Sequence, residues 1–329
     1  MHKLPSCHAR ACGNATGFAV AELNRPALVA FAQVSISRGS KSFRFASRLF
    51  DRTTRERVWL LYAWCRKCDD MADGQDHGGA MEAVTDPQAR LQAIRALTAM
   101  ALAGTPTSEP AFDCLGVVAR ECGLTPRMAE DVIEGFALDA ADWHPRRESD
   151  LYQYCYHVAG AVGVMMAVVM GVAADDDATL DRACDLGLAF QLANIARDIA
   201  EDDAAGRCYL PDDWLAMLDI GPGEHMKPHN RKKLALMGRW LADEAEQYEA
   251  SARVGAKHLP LRARWAVLSA AGIYGEIARK VRAADAQAWD QRIFTSRPEK
   301  FRWVRKAFVD AVANNPRYTN RDALWTRAR

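Results

Sequence analysis

Scarcely any stretch of this chain alternates apolar and polar residues for long between turn pairs, whereas apolar residues recur at helical spacing almost throughout. A strand needs a period of two and a helix one of about 3.6, so such a pattern confines the chain to helices. Proline and glycine punctuate it. The pattern predicts helices over 26–36, 40–50, 54–74, 87–103, 110–121, 126–142, 150–173, 178–203, 228–256, 260–287 and 298–314. Thr53 and Thr54 lead into Glu56 as a helix start, and Pro87, Pro126 and Pro260 fall near first turns, where proline is tolerated. GQDHGG (74–79), AGTPTSEP (103–110) and DIGPGEHMKPHN (219–230) read as loops. Without a repeat or a linker, the expectation is one all-α domain over residues 21–297, an N-terminal extension at 1–20, and a basic C-terminal helix and tail at 298–329.

Composition narrows the function classes. The 329 residues are 50% apolar, ample for a large core. Lys plus Arg (43) nearly balances Asp plus Glu (42), so no whole-protein field favours nucleic acid. Nine scattered cysteines suit a reducing cytoplasm better than a disulfide framework. The first twenty residues hold no signal-peptide run. Residues 158–174 are uncharged yet shorter than the roughly 20 residues of a membrane span. They read as a buried helix whose Gly160, Gly163 and Gly171 let neighbours approach closely.

The predicted helix at 178–203 contains QLANIARDIAED (191–202). At about 100° per residue, Gln191, Asn194, Asp198 and Asp202 share one stripe, with Glu201 and Asp203 to its sides. In YAWCRKCDDMAD (62–73), Tyr62, Arg66, Asp69 and Asp73 obey the same rule, with Asp70 beside them. Like charges one turn apart destabilise an isolated helix by roughly 0.2–0.5 kcal/mol. A solvated face with i,i+4 charge pairs explains either run alone. Two runs, each interleaved with apolar residues and each holding an arginine (Arg66, Arg197), point instead to a shared Mg²⁺–diphosphate site. Mg²⁺ takes carboxylate oxygens together with substrate phosphates, amide side chains can ligate or donate, and guanidinium forks match phosphate.

Together with GSKSF (39–43), IEGFALD (133–139), YCYHVAGAVG (154–163), the longer QLANIARDIAEDDAAGRCYLP (191–211) and AAGIYGEIARKVR (270–282), these motifs resemble the squalene/phytoene synthase family from about Ser40 to about Arg297. The resemblance implies the single-domain α-helical isoprenoid synthase fold, with a central cavity between the two acidic helices. It implies a Mg²⁺-dependent prenyltransferase, with Mn²⁺ as alternative ion, that joins two allylic diphosphates head to head through a cyclopropyl intermediate. By that resemblance the metal ligands are Asp69, Asp73, Asn194, Asp198 and Asp202. Arg66 and Arg197 would hold diphosphate oxygens, Gln191 would support them, and Ser40, Lys41 and Ser42 would line the substrate mouth. Tyr62, Tyr154, Arg207, Tyr274 and Arg292 would surround the diphosphates, Arg292 on the loosest local similarity. Tyr154 is also a candidate base or cation stabiliser, the diphosphate being the other proton acceptor.

YAWCRKCDD and YCYHVAGAVGVMM lean towards the C40 members. The expected reaction couples two geranylgeranyl diphosphates to phytoene through prephytoene diphosphate, releasing diphosphate, in carotenoid biosynthesis. The alternatives are C15 coupling to dehydrosqualene, squalene or hydroxysqualene, a terpene cyclase, and a non-catalytic assembly relative. The last would be expected to lose metal carboxylates that are all present here. No NADPH is expected, since no strand carries a G-x-G-x-x-G. Ser47, one turn beyond Phe43, hints at a deep tunnel, and 158–174 with Phe43, Phe45, Trp64 and Phe190 could wall it, core packing being the alternative for each aromatic. Cys65-x-x-Cys68 lacks the partners of a zinc or redox pair, and His157 reads as a hydrogen-bonded helix histidine. Asp139 reads as support for the site, and Glu130, Asp131, Glu134 and Asp142 as solvated. From 277 to 329, thirteen Lys or Arg face five acids. There FRWVRKAF (301–308) either lies on a membrane surface, giving a cytoplasmic protein a peripheral inner-membrane contact, or packs Phe301, Val304 and Phe308 inward.

Overall fold

The computed structural model describes residues 24–39, 46–73, 86–141 and 143–328, with the side chain of Asp73 excepted. The expectations for residues 1–20, Ser40, Lys41, Ser42, Phe43, Phe45, Asp142 and the loop at 74–79 lie outside these. All regular structure among the described residues is helical.

Helix α1 (Arg25–Gly39) packs on α2 (Arg52–Asp73). α2 starts ahead of the Thr53–Thr54 expectation because Asp51 accepts from the Thr54 N–H (3.0 Å) and hydroxyl (2.7 Å). Those bonds hold the Asp51 carboxyl below its usual range. α3 (Pro87–Leu102), α4 (Pro110–Cys122) and α5 (Pro126–Ala140) each place proline in the first turn. Asp86 caps α3 through the Ala89 N–H, and Thr125 caps α5 through that of Met128.

The run expected as one helix at 150–173 is three pieces: α6 (Glu148–Cys155), a π-helical turn (Tyr156–Gly160) and α7 (Ala161–Val169). Helix α5 holds the wide turn. The Tyr156 hydroxyl donates to Asp131 Oδ2 (2.6 Å), and His157 Nδ1 lies 2.8 Å from the Asp131 carbonyl. Asp131, expected to be solvated, is therefore an anchor, and Glu130 and Glu134 pair with Arg95. The long α8 (Asp177–Ala204) meets α7 and the π turn at backbone distance. A Cβ on Gly163 would stand 2.6 Å from the Ala183 carbonyl oxygen, and one on Gly187 2.4 Å from that of Ala159. Gly171 plays another part from the one expected: its φ of +100° turns the chain, and none of the described residues lies within 4 Å of its Cβ position.

Helix α8 is the axis of the fold, touching α7, the π turn, α10 (Arg231–Gly255) and α11 (Leu261–Ala284). A short α9 (Asp212–Met217), which the periodicity did not predict, precedes α10. α12 (Arg297–Ala313) packs on α11 through Ala307 and Ala311. The inward packing expected of Phe301 is not found, since it is 64% exposed, whereas Phe308, 46% exposed, meets Trp265 of α11 edge-on. Small residues, Ala307 and Ala311 on α12 and Gly272 on α11, let the two helices approach closely and leave Phe301 outside the contact. Beyond α12 the tail returns across α8, where Arg321 pairs with Asp185 and Arg327 with Asp177 and Asp181. No helix among the described residues is long and apolar enough to cross a membrane.

Candidate active site

A cavity of about 360 Å³ runs along α8, between it and α7, α10 and α11. Small residues line much of it: Gly163 and Ala167, Ala183 and Gly187, Ala252 and Gly255. Val162, Met166 and Phe190 add apolar wall. Trp64, the other described aromatic expected there, is core instead: it is fully buried and its Nε1 donates to Thr98 (3.3 Å). Ser47 does line the cavity, buried and accepting from Trp59 Nε1 (3.0 Å). At the C-terminal end of α8 the lining turns polar with Gln191 and Asn194, and Tyr274 stacks there on Phe190, centroids 4.3 Å apart. Of the two acidic helices, α8 lines the cavity directly; the chain reaches it next to α2 through Ala46, Ser47 and Phe50.

Past Asn194 the α8 stripe becomes charged. Arg197 Nε donates to Asp198 Oδ1 (2.8 Å), and its Nη2 also contacts that carboxylate. Arg292 Nη2 lies 2.9 Å from Asp198, while its Nη1 donates to Glu201 at 3.0 Å. Thus Arg292, placed on the weakest sequence ground, sits on the acidic stripe. One turn on, burial and then the Asp198 carboxylate push the Asp202 carboxyl up to about 6, against the pull of Arg207 and Arg197. Arg207 follows closely, its backbone N–H donating to the Asp202 carbonyl (2.8 Å). Asp203, to the side, faces the buried His225 at 3.3 Å.

On α2, Arg66 spans Asp69 (2.9 Å) and Asp70 (2.7 Å). Asp70, which the spacing put beside the stripe, is the more enclosed of the two. A Cβ at Gly39 would stand 2.3 Å from the Tyr62 hydroxyl oxygen, so glycine there lets α1 end against Tyr62. Cys65 and Cys68 are free thiols; burial pushes Cys65 up to about 12 and Cys68 well above its usual range, which leaves both unreactive.

A third cluster surrounds Tyr154. Its ring stacks between Trp143 (5.2 Å) and Tyr209 (4.9 Å), and its hydroxyl donates to Asp139 Oδ1 at 2.9 Å. The Tyr209 hydroxyl reaches the same oxygen at 3.4 Å. Burial first and Asp139 second push the Tyr154 phenol far above its usual range, so it stays protonated and donates. Sequence reasoning passed over Trp143 and Tyr209. Tyr209 lies inside a quoted motif, but only stacking across the fold selects it.

The donor set fits a divalent cation with a diphosphate. The ligating groups are hard oxygens. A cation beside Asp202 would relieve a carboxyl raised by burial and a like charge, and a phosphate oxygen could satisfy the buried Arg66 Nε, which has no hydrogen-bond partner among the described residues. Among those residues no three carboxylate, imidazole or thiol groups converge as a preformed metal cage.

The squalene/phytoene synthase family model matches residues 36–299. The chain is 46% identical over 309 residues to a phytoene synthase of Pseudescherichia vulneris and to a 15-cis-phytoene synthase of Pantoea ananas, each alignment covering 93% of this chain and 99% of the relative. Among solved structures, a dehydrosqualene synthase crystallised with ligand superposes with a TM-score of 0.77 at 26% identity, covering 88% of this chain and 98% of that one. With helices, cavity and acidic stripe in place, the chain belongs to the squalene/phytoene synthase family.

Proposed function

We propose that this chain condenses two geranylgeranyl diphosphates head to head into phytoene, releasing diphosphate at each ionisation. The observation that carries the reading is the cavity: apolar along α8 and continuous, at Gln191 and Asn194, with the Arg197–Asp198–Asp202 stripe of the same helix. The diphosphate head belongs at the charged end and the polyprenyl chain in the apolar length. The names of its relatives support the C40 product.

Asp69, Asp73, Asn194, Asp198 and Asp202 are the residues that would hold Mg²⁺ or Mn²⁺. When bound, the ion neutralises charge developing on the leaving diphosphate. The protein's own groups do the rest. Arg197, Arg66 and Arg292, now on carboxylates, have forks suited to phosphate oxygens, with Arg207 nearby. As the allylic C–O bond breaks, its electron pair leaves with diphosphate, and the double bond of the second substrate attacks the cation. Loss of a proton closes the cyclopropane. A second ionisation, rearrangement and proton loss give the central double bond. The apolar walls keep water from the cations. Tyr154, held protonated, suits stabilising the cation or a departing oxygen and not the role of base, so the diphosphate takes the proton.

The test offers purified protein C15 and C20 diphosphates with Mg²⁺, with and without NADPH. C40 phytoene from the C20 substrate, independent of NADPH, is expected; a C30 hydrocarbon alone, or none, overturns the reading.

Peripheral membrane contact through α12 belongs to the same reading, since Phe301, Val309 and Val312 are each more than half exposed. Because the tail anchors buried Asp185, truncation would disturb the fold. Replacing Phe301, Val309 and Val312 with Ser should lower vesicle flotation, and equal flotation would exclude this face.

A further inference from the structure

Away from the site, the tail, α10, α11 and α12 enclose a second cavity of about 460 Å³ that shares no lining residue with the first among the described residues. Its floor is built by close approach. A Cβ on Gly272 would stand 2.3 Å from the Trp303 ring, and one on Gly275 1.9 Å from Glu249, so these α11 glycines admit both side chains. Arg279 lies over Trp303, 4.8 Å from its ring centre, and Arg253 follows at 5.9 Å. Buried Glu249 serves both arginines, at 2.6 Å from Arg253 and 3.0 Å from Arg279. Asp310 serves Lys306 at 2.9 Å.

Those are the cavity's two carboxylates among the described residues, and three further cations of that lining have neither as a close partner. Arg264 donates to three main-chain carbonyls, Ala311 and Leu259 at 2.8 Å and Lys257 at 3.1 Å, and its buried Nε has no partner among the described residues. The side chains of Lys257 and Arg317 are exposed and pair with no carboxylate among those residues. Asn314, in the left-handed conformation that ends α12, adds an amide to the rim.

We propose that this cavity binds a phosphate-bearing anion, with Lys257 and Arg317 as its principal contacts. Converging cations beyond those the local carboxylates neutralise repel one another until a multiply charged ligand enters. Lysine and arginine at a concave, half-enclosed surface are the donors that recognise phosphate. A free diphosphate and an anionic lipid headgroup carry the same chemistry, and one experiment separates them.

Inorganic diphosphate is titrated calorimetrically into the full chain in EDTA, which strips the divalent ion the first site requires. In parallel, the protein is sedimented with phosphatidylcholine vesicles with and without phosphatidate. Both arms are repeated with Lys257→Glu/Arg317→Glu, two exposed positions, with the melting temperature confirming the fold. Wild type should bind in at least one arm, and the variant at least about tenfold more weakly there. A loss confined to diphosphate identifies a free anion, and one confined to phosphatidate a headgroup; either supports the site. Equal binding by both proteins, or none by wild type in either arm, overturns it.

Discussion

Helix α8 carries the same spacing of acids twice. Asp177, Asp181 and Asp185 recur every four residues in its first half, as Asn194, Asp198 and Asp202 do in its second. In the first half the fold supplies the counter-charge. Arg321 holds Asp185 through two contacts of 2.8 Å, the Ser251 hydroxyl adds a third at 2.5 Å, and Arg327 reaches Asp177 (2.6 Å) and Asp181 (2.9 Å). In the second half Arg197 and Arg292 both reach Asp198, Arg292 also serves Glu201, and the Asp202 carboxyl is pushed up to about 6 by burial and then by Asp198. Periodicity therefore reports a stripe of carboxylates and nothing more. What sets the second half apart is Asp202, whose carboxyl stays raised by burial and by Asp198 against the pull of Arg207 and Arg197, and which can take a cation from solution.

The largest expected effect breaks the second half. Asp198→Asn or Asp69→Asn should each lower phytoene formation about a thousandfold, through weaker stabilisation of the leaving group, in protein whose melting transition shows that it still folds. Product measured by chromatography at saturating Mg²⁺ checks this; near wild-type output from both would remove the metal-clamp reading. The corresponding cut in the first half should act on stability alone. Arg321→Met strands buried Asp185 and should cost about 3–5 kcal/mol in urea unfolding, most of it recovered when Asp185→Leu is added, because the stranded charge is what costs. A loss below about 1 kcal/mol would mean that the two halves of α8 are not different in kind.

Much of this was legible in the linear chain. The helical period found the long helices to within a few residues, since each buries one face against a neighbour. The α8 stripe and its arginine were legible because a single helix sets their relation. What was not legible depends on contacts between elements. The π turn at Tyr156–Gly160 rests on Asp131 of α5, and the start of α2 on the Asp51 side chain turning back to Thr54. The stack of Trp143, Tyr154 and Tyr209 joins three separate segments. The clamp on Asp185 needs an arginine 136 residues away, so spacing within α8 does not reveal it.

A smaller effect sharpens the reading of the cavity. Ser47 is buried on its wall, and Ser47→Phe would fill space that a C20 chain requires. Overfilling of this kind costs about 1–3 kcal/mol, so phytoene output should fall about tenfold while the share of C30 product from a C15 substrate rises. An unchanged C40 to C30 ratio would show that chain length is set elsewhere.

The smallest effect tests the open end of α8 directly, through pH. The folded Asp202 carboxyl titrates near 6 and its ordinary value is 3.8, so between those values the folded chain holds more protons than the unfolded one. Stability from this group is then greatest at low pH and declines as pH rises through the window; above about 6 the ionised carboxylate imposes a constant cost. Asp202 is partly exposed, so solvent trims that cost to about 1 kcal/mol. In EDTA, Asp202→Asn should melt about 2 °C above wild type at pH 7.5, the difference closing below pH 4. Millimolar Mg²⁺ with diphosphate should reverse the order, because only the wild type gains from the bound cation. An asparagine variant that melts lower than wild type in EDTA would show that Asp202 already has its counter-charge, and the two halves of α8 would then be the same device.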